Sequence, residues 1–347
     1  MLFRSGREGN AKQAGVSPKT VSRVINGDAP VGLKTRDAVE AAICELDYRP
    51  SRAARTMRSS RSGLIGLITG AISRGDGSAG PSGLPDLFIV QAIQRVVAEA
   101  GMTLMIADTG GEVDRASELM ATFAQHRVEG LVYVADHHQR IDDLDPRGTP
   151  LVLANCFDTA DTPAVLPDDR AGQRALVERV IAAGHRRIGY FTLPEGMIAT
   201  ELRSQGYREA LEGAGLAFDP ALVIGGFADR GEGPKPFLTS ALDQLLALED
   251  RPSVICCGND ELALRLYGEL RDRGIRVPQE ISIAGYDDYR VISETLYPPL
   301  TTADLNYRGI GEAAARRLLS LIAGAPAPTE VELVGGPVCW RQSVTEH

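Results

Sequence analysis

The chain has 347 residues, 44% hydrophobic and 24% charged, with a formal net charge of -9, enough to bury a large core and to divide into more than one folding unit. No window approaches the roughly 18 apolar residues of a spanning helix, and the amino terminus lacks an apolar signal core followed by a small-residue cleavage site. A cytoplasmic protein with no membrane partner is expected. Five cysteines, at 44, 156, 256, 257 and 339, have no zinc-binding spacing, and an odd number is a poor disulfide framework. Buried free thiols are expected, with no metal or cofactor.

The charge is unevenly spread. Residues 1–62 hold twelve Lys+Arg against six Asp+Glu, whereas the rest holds 25 against 40. This asymmetry suggests a small module for a polyanion on a larger acidic body.

The first strong element starts at Ser17-Pro18: serine can cap free backbone N–H groups, and proline at the first helical position loses no bond. Val21, Val24 and Ile25 then share one face, with Lys19, Ser22, Arg23 and Asn26 opposite and Gly27 as the stop. Upstream, Ala11 and Ala14 can pack, and Gly15 allows a tight turn. This is the layout of a helix-turn-helix, whose second helix enters the DNA major groove amino end first. A third helix over 35–46 presents Ala38, Val39, Ala42, Ile43 and Leu46. Next, Arg49, Arg52, Arg55, Arg58 and Arg61 recur at every third residue, with no acid between Tyr48 and Gly75. Residues 51–57 allow about two helical turns, too short to be stable alone; DNA and a second subunit would supply the missing partner.

From Leu64 onward, apolar runs alternate with helical patterns. "LIGLIT", "TLMIADT", "GLVYVA" and "LVLAN" read as buried strands, with helices over 87–100 and 113–126. "RIGYFT", "ALVIGGF", "SVICCG" and "ISIAGYD" form a second set, with helices starting near Ala171, Ala199, Phe237 and Glu261. Two such blocks imply two doubly wound parallel sheets with a cleft between them. Ligands of such sheets bind beyond the carboxyl ends of the strands. There stand Asn155, Phe227, Asn259, Asp260, Asp287 and Asp288, with Arg203 near the start of a helix. Asparagine, aspartate and arginine can pair with vicinal hydroxyls while one aromatic covers a C–H face, which suits a sugar or sugar acid. Asp260 and Asp288 are expected to be helix caps instead; Asn259, Asp287 and Arg203 are expected to converge.

Other chemistry is poorly supported. Asp136-His137-His138 sits past a strand with no third ligand in view. Asp287 and Asp288 are adjacent in sequence and ill placed to flank a scissile bond. No Walker A or Gly-x-Ser-x-Gly motif occurs, and no catalytic constellation is found.

"AGVSPKTVSRVING" and "YRPSRAARTMR", followed by "LRSQGYREAL", "CGNDELAL", "GYDD" and "PPLTTADL", resemble the lactose/galactose repressor family over nearly the whole chain. The resemblance implies a helix-turn-helix headpiece over 1–48, a hinge over 49–62, and an α/β, periplasmic-binding-protein-like effector and dimerisation domain over 63–347. Its N-subdomain would cover about 63–160 and 292–322, and its C-subdomain about 161–291 and 323–347. It implies a homodimer on a pseudopalindromic double-stranded DNA operator. Ser17, Pro18, Lys19, Thr20, Ser22, Arg23 and Asn26 would contact DNA from the recognition helix. Arg52 and Arg55 would do so from the hinge, and Met57 would be the side chain wedged into the minor groove. Asn155, Arg203, Phe227, Asn259 and Asp287 match effector-contact positions. The implied function is a transcription repressor, not an enzyme, governed by a sugar or sugar derivative. The sequence leaves open whether the effector induces or corepresses.

Three departures stand out. Gly9-Asn10-Ala11 replaces the family's usual Asp-Val-Ala, so a weak first helix and poor order to about residue 8 are expected. The 70–86 loop is longer than the family norm. The usual Asp-Asn pair is Asp168-Asp169 here. The first departure raises an alternative, a cytoplasmic sugar sensor with impaired DNA binding; an enzyme acting on a sugar in the cleft is a third reading.

Overall fold

The computed structural model describes residues 7–26, 30–46, 61–70, 72, 87–225, 234–328 and 330–346. The chain divides between Gly63 and Leu64 into two units. The first holds α1 (Arg7–Gln13), α2 (Pro18–Asn26) and α3 (Leu33–Glu45). Their core is Ala11, Val21 and Val39, with Ala14, Val16, Val24, Ile25 and Ile43 packed against it. Gly15 takes a φ of 65°, the left-handed value the turn from α1 to α2 requires. Arg7 and Glu8 open α1; residues 1–6, most of the stretch expected to be poorly ordered, lie outside the described residues. Asn10 is fully buried in α1.

The second unit opens with β1 (Leu64–Thr69), α4 (Leu87–Glu99), β2 (Thr103–Asp108), α5 (Ala116–Gln125), β3 (Gly130–Arg140), β4 (Leu151–Phe157) and β5 (Ala164–Pro167). It continues with α6 (Asp169–Ala182), β6 (Ile188–Phe191), α7 (Ile198–Gly213), β7 (Val223–Ile224), α8 (Pro234–Leu246), β8 (Val254–Cys257), α9 (Asp260–Asp272) and β9 (Ser282–Asp287). After α10 (Arg290–Ser293) come β10 (Thr301–Asp304), α11 (Tyr307–Ile322), β11 (Glu332–Val334) and β12 (Val338–Cys339). Among the described residues the strands form two six-stranded sheets, ordered β11-β5-β4-β3-β1-β2 and β12-β10-β9-β8-β6-β7. The first is parallel throughout; in the second only β12 runs antiparallel, against β10. β1, β4, β6, β8 and β9 are almost wholly buried, because helices cover both faces of a parallel sheet and leave no face for polar alternation.

The chain crosses between the sheets at other points than expected. β5 belongs to the first sheet and β10 to the second, and β11 returns to the first. α11 packs on α4, β3, β4 and β5. The crossings therefore fall near 168, 305 and 336 rather than near 160, 291 and 322. The connections bond to one another: Asp168 N–H donates to the Val334 carbonyl, and Asp304 N–H to that of Pro337. Four-residue β10 and three-residue β11 carry too little periodicity to reveal their sheet.

Cys156, Cys256 and Cys257 are buried, but Cys339 is only partly so and Cys44 is exposed, which corrects the expectation for those two. Among the described residues no helix is long and apolar enough to cross a membrane. The expected hinge helix over 51–57, most of the 70–86 loop and Phe227 lie outside the described residues.

Candidate functional site

In the first unit the face of α2 opposite its buried Val21 carries the chemistry. Pro18, Lys19 and Arg23 are exposed, and Thr20 and Ser22 are half-buried. Ser17 Oγ accepts from Thr20 N–H at 3.2 Å and bonds Thr20 Oγ1 at 2.9 Å, which satisfies one free amide of the first turn. Gln13 Nε2 donates to Glu45 Oε2 at 2.7 Å, tying α1 to α3. The Asn26 side chain, Arg52, Arg55 and Met57 lie outside the described residues.

In the second unit a cavity of about 260 Å³ opens at the carboxyl ends of the strands of both sheets. Asn155, Arg203, Asn259 and Asp287 all line it; Phe227 lies outside the described residues. Asn155 lies in β4, two residues before its end, with a φ of 61°, and donates from Nδ2 to the Ala135 carbonyl at 3.1 Å. Asp287 ends β9 with a φ of 118°. Such positive φ values in non-glycine residues are uncommon and cluster at functional sites. Asn259 accepts the Leu262 N–H at 2.8 Å and so caps α9 while lining the cavity.

Arg203, 3% exposed, is the hub. Its Nε donates to Asp169 Oδ1 at 2.8 Å and one terminal nitrogen donates to the Gly258 carbonyl. The other terminal nitrogen lies 3.8 Å from Asp287 Oδ1, and the guanidinium rests 3.8 Å over the Tyr286 ring, in position for a cation–π contact. Burial alone would lower the guanidinium pKa, but the Asp169 and Asp287 charges outweigh it and raise it. Burial alone would raise Asp169, yet Arg203 and His138 hold its carboxyl below the usual carboxylate value. Asp287 is pushed well above that value, chiefly by burial, against the pull of Arg203.

Two expectations are corrected. Asp260 does not cap a helix: its Oδ1 accepts from Thr302 Oγ1 at 2.7 Å and its Oδ2 from Tyr289 N–H at 2.8 Å. Nor does Asp288, whose Oδ1 receives Ser293 Oγ at 2.9 Å and Arg341 at 2.7 Å. Asp136, His137 and His138 belong to β3 rather than to a loop past it. His138 Nδ1 meets Asp169 Oδ2 at 2.9 Å, and His137 Nδ1 meets Asp136 at 2.8 Å.

His138, Asp169, Tyr289 and Tyr307 also line the cavity and were not singled out from the sequence as ligand contacts. His138 and Asp169 stand 31 positions apart, and only the strand-to-helix crossing brings them together. A buried acid in the first turn of α6, one residue after the cap, was the sole signal.

Residues 11–51 match the family of bacterial regulatory proteins described as the lacI family, and residues 177–344 match the periplasmic binding protein-like domain. The chain is 33% identical to the ribose operon repressor of Escherichia coli over 90% of this chain and 91% of the relative. It resembles the lac repressor dimer bound to operator and the anti-inducer ONPF, with a TM-score of 0.76 at 26% identity over 97% of this chain and 98% of that one. It also resembles a complex of the transcriptional regulator CelR with cellobiose, with a TM-score of 0.66 at 29% identity over 97% and 99%. Matches of this length run through the helical headpiece and both sheets, and the chain belongs to the lacI family of bacterial regulatory proteins.

Proposed function

We propose that this protein is a cytoplasmic, sequence-specific transcription repressor and not an enzyme. It acts as a homodimer on a pseudopalindromic double-stranded operator, and a sugar or sugar derivative in the cleft controls its affinity. One observation carries the reading: Asn155, Arg203, Asn259 and Asp287, from four different elements, meet on one cavity at the strand ends. Their donors and acceptors suit vicinal hydroxyls, and the similarity to a repressor named for a ribose operon and to a regulator solved in complex with cellobiose supports that class.

In the headpiece, Pro18, Lys19 and Arg23 would stand at the base edges, the two basic residues donating to guanine, and Ser17, Thr20, Ser22 and Asn26 would hold register on the phosphates. Arg52 and Arg55 would add hinge contacts and Met57 the minor-groove wedge. A ligand with higher affinity for the closed cleft shifts the population of dimers toward that geometry. Closure changes the angle between the first-sheet subdomains of the two protomers, and with it the spacing of the hinge segments. Release of DNA on sugar binding is the favoured sign.

A thermal-shift screen of the full chain against a broad carbohydrate panel including D-ribose and cellobiose tests the cleft. A ligand at a hundred times its Kd adds about 2.7 kcal/mol of stability, so at least one sugar raises the melting temperature by several degrees. Failure of the whole panel to move it contradicts the reading.

A further inference from the structure

Asp169 is wholly buried at the start of α6. It bridges the two subdomains: Oδ2 meets His138 Nδ1 of β3 at 2.9 Å, and Oδ1 accepts from Arg203 Nε of α7 at 2.8 Å. The Arg203 terminal nitrogens are turned toward the Gly258 carbonyl and Asp287, and the Tyr286 ring covers one face. The charge of Arg203 is therefore committed to the protein.

Among the described residues lining the cavity there is no lysine and no second arginine, while Asp136, Asp260, Glu261 and Asp287 add carboxyl groups. Burial raises Asp260 and Asp287 and so weakens the negative wall, but it adds no positive charge. An anionic ligand entering such a site leaves water without gaining a counter-charge. A neutral polyol can donate its hydroxyls to the carboxylates and to His138 Nε2, an acceptor because Nδ1 carries the proton given to Asp169, and can accept from Asn155.

We infer that Asp169 is the specificity-determining residue of the cleft: by neutralising Arg203 it makes the site select uncharged polyhydroxyl ligands over sugar acids of the same size. The inference rests on the reading of the cleft as a sugar site. Asp169→Asn removes the charge with little change of shape. The amide oxygen can still accept from Arg203 Nε, and the amide nitrogen can donate to His138 Nδ1 in its other tautomer. Arg203 would then carry uncompensated charge toward the cavity, where a ligand carboxylate can pair with it.

The test is isothermal titration calorimetry of the full chain with matched neutral and acidic probes: D-ribose and D-ribonate, D-glucose and D-gluconate, cellobiose and cellobionate. In the wild type, the neutral member of the bound pair is expected to bind at least about tenfold more tightly than its acid, as the lack of a counter-charge requires. Asp169→Asn is expected to lower that ratio by about tenfold or more, a change that general loosening of the fold would not produce because it weakens both members alike. The inference is overturned if the wild type binds the acid as tightly as the neutral member, or if Asp169→Asn leaves the ratio unchanged. Should the variant not fold, the wild-type ratio decides alone. If the wild type binds a neutral sugar but the ratio does not respond, only this inference falls; if it binds no member of any pair, the sugar reading falls with it.

Discussion

At the scale of single residues, Asp260 links the cavity wall to stability. It is 1% exposed, and burial pushes its carboxyl up to about 7, against the hydrogen bonds from Thr302 and Tyr289. An acid whose pKa is raised by folding contributes its stability below the ordinary carboxylate value and loses it as pH rises through the folded value. Asp260 therefore makes the fold less stable as pH rises from about 4 to about 7. Asp169 acts in the opposite sense: its lowered carboxyl stabilises above the ordinary value and loses that contribution only in stronger acid. In Asp260→Asn the amide oxygen can accept from Tyr289 N–H while the amide nitrogen donates to Thr302 Oγ1. Thermal melts at pH 5 and pH 8 should show the variant losing less melting temperature than the wild type, by a few degrees. Equal losses would contradict the assignment. At this scale the meeting of Asn155, Asn259 and Asp287 with the helix residue Arg203 on one cavity was legible, because clefts of parallel sheets open beyond the carboxyl ends of the strands. The roles of Asp260 and Asp288 were not, because a cap and a buried acceptor have the same sequence signature.

Between elements, α6 and α7 touch at a glycine. A Cβ on Gly206 would come within 2.2 Å of the Arg170 carbonyl and 2.9 Å of the Arg174 amide nitrogen, so both are backbone obstacles that cannot rotate away. Gly206→Ala should cost about 1–3 kcal/mol, the usual range for overpacking, read as a lower melting temperature. Arg203 lies one turn before Gly206 and Asp169 adjoins Arg170, so the same substitution should also weaken sugar binding. Unchanged stability would show that the helices part without cost. On α2, Arg23→Ala should weaken operator binding by about 1–3 kcal/mol and relax preference at the base it reads, as for a bidentate guanine contact. Mobility shifts on single-base operator variants measure this; uniform weakening across them would assign Arg23 to the phosphates.

The long apolar strands β1, β4 and β9 could be read from sequence because a strand buried on both faces is apolar throughout. β10, β11 and β12 could not. They are short, and β10 carries three threonine and aspartate residues in four positions. Their sheet membership comes from where the chain can turn back, as at Gly336, where a Cβ would approach the Asp304 carbonyl to 2.3 Å.

For the molecule as a whole, the division of charge corresponds to a division of labour. The basic residues concentrate in the first 62 positions, and the acidic body holds the small-molecule cavity. DNA affinity should fall steeply with salt, because each neutralised phosphate releases counterions, whereas binding of a neutral sugar should be nearly salt-independent. Titrations at two salt concentrations separate these behaviours, and an equal salt response of both would contradict the division. Effector control of DNA binding is decided by fluorescence anisotropy of the full chain on a duplex enriched by it from a random pool, with and without the sugar that stabilises it. An effector-controlled repressor binds a pseudopalindromic site well above a scrambled duplex and loses affinity within the roughly 5–150-fold range of allosteric coupling when sugar is added. Tightening of similar size would make the sugar a corepressor and keep the coupling. No preference over the scrambled duplex, or one affinity with and without sugar, would contradict the claim that this is an effector-controlled repressor.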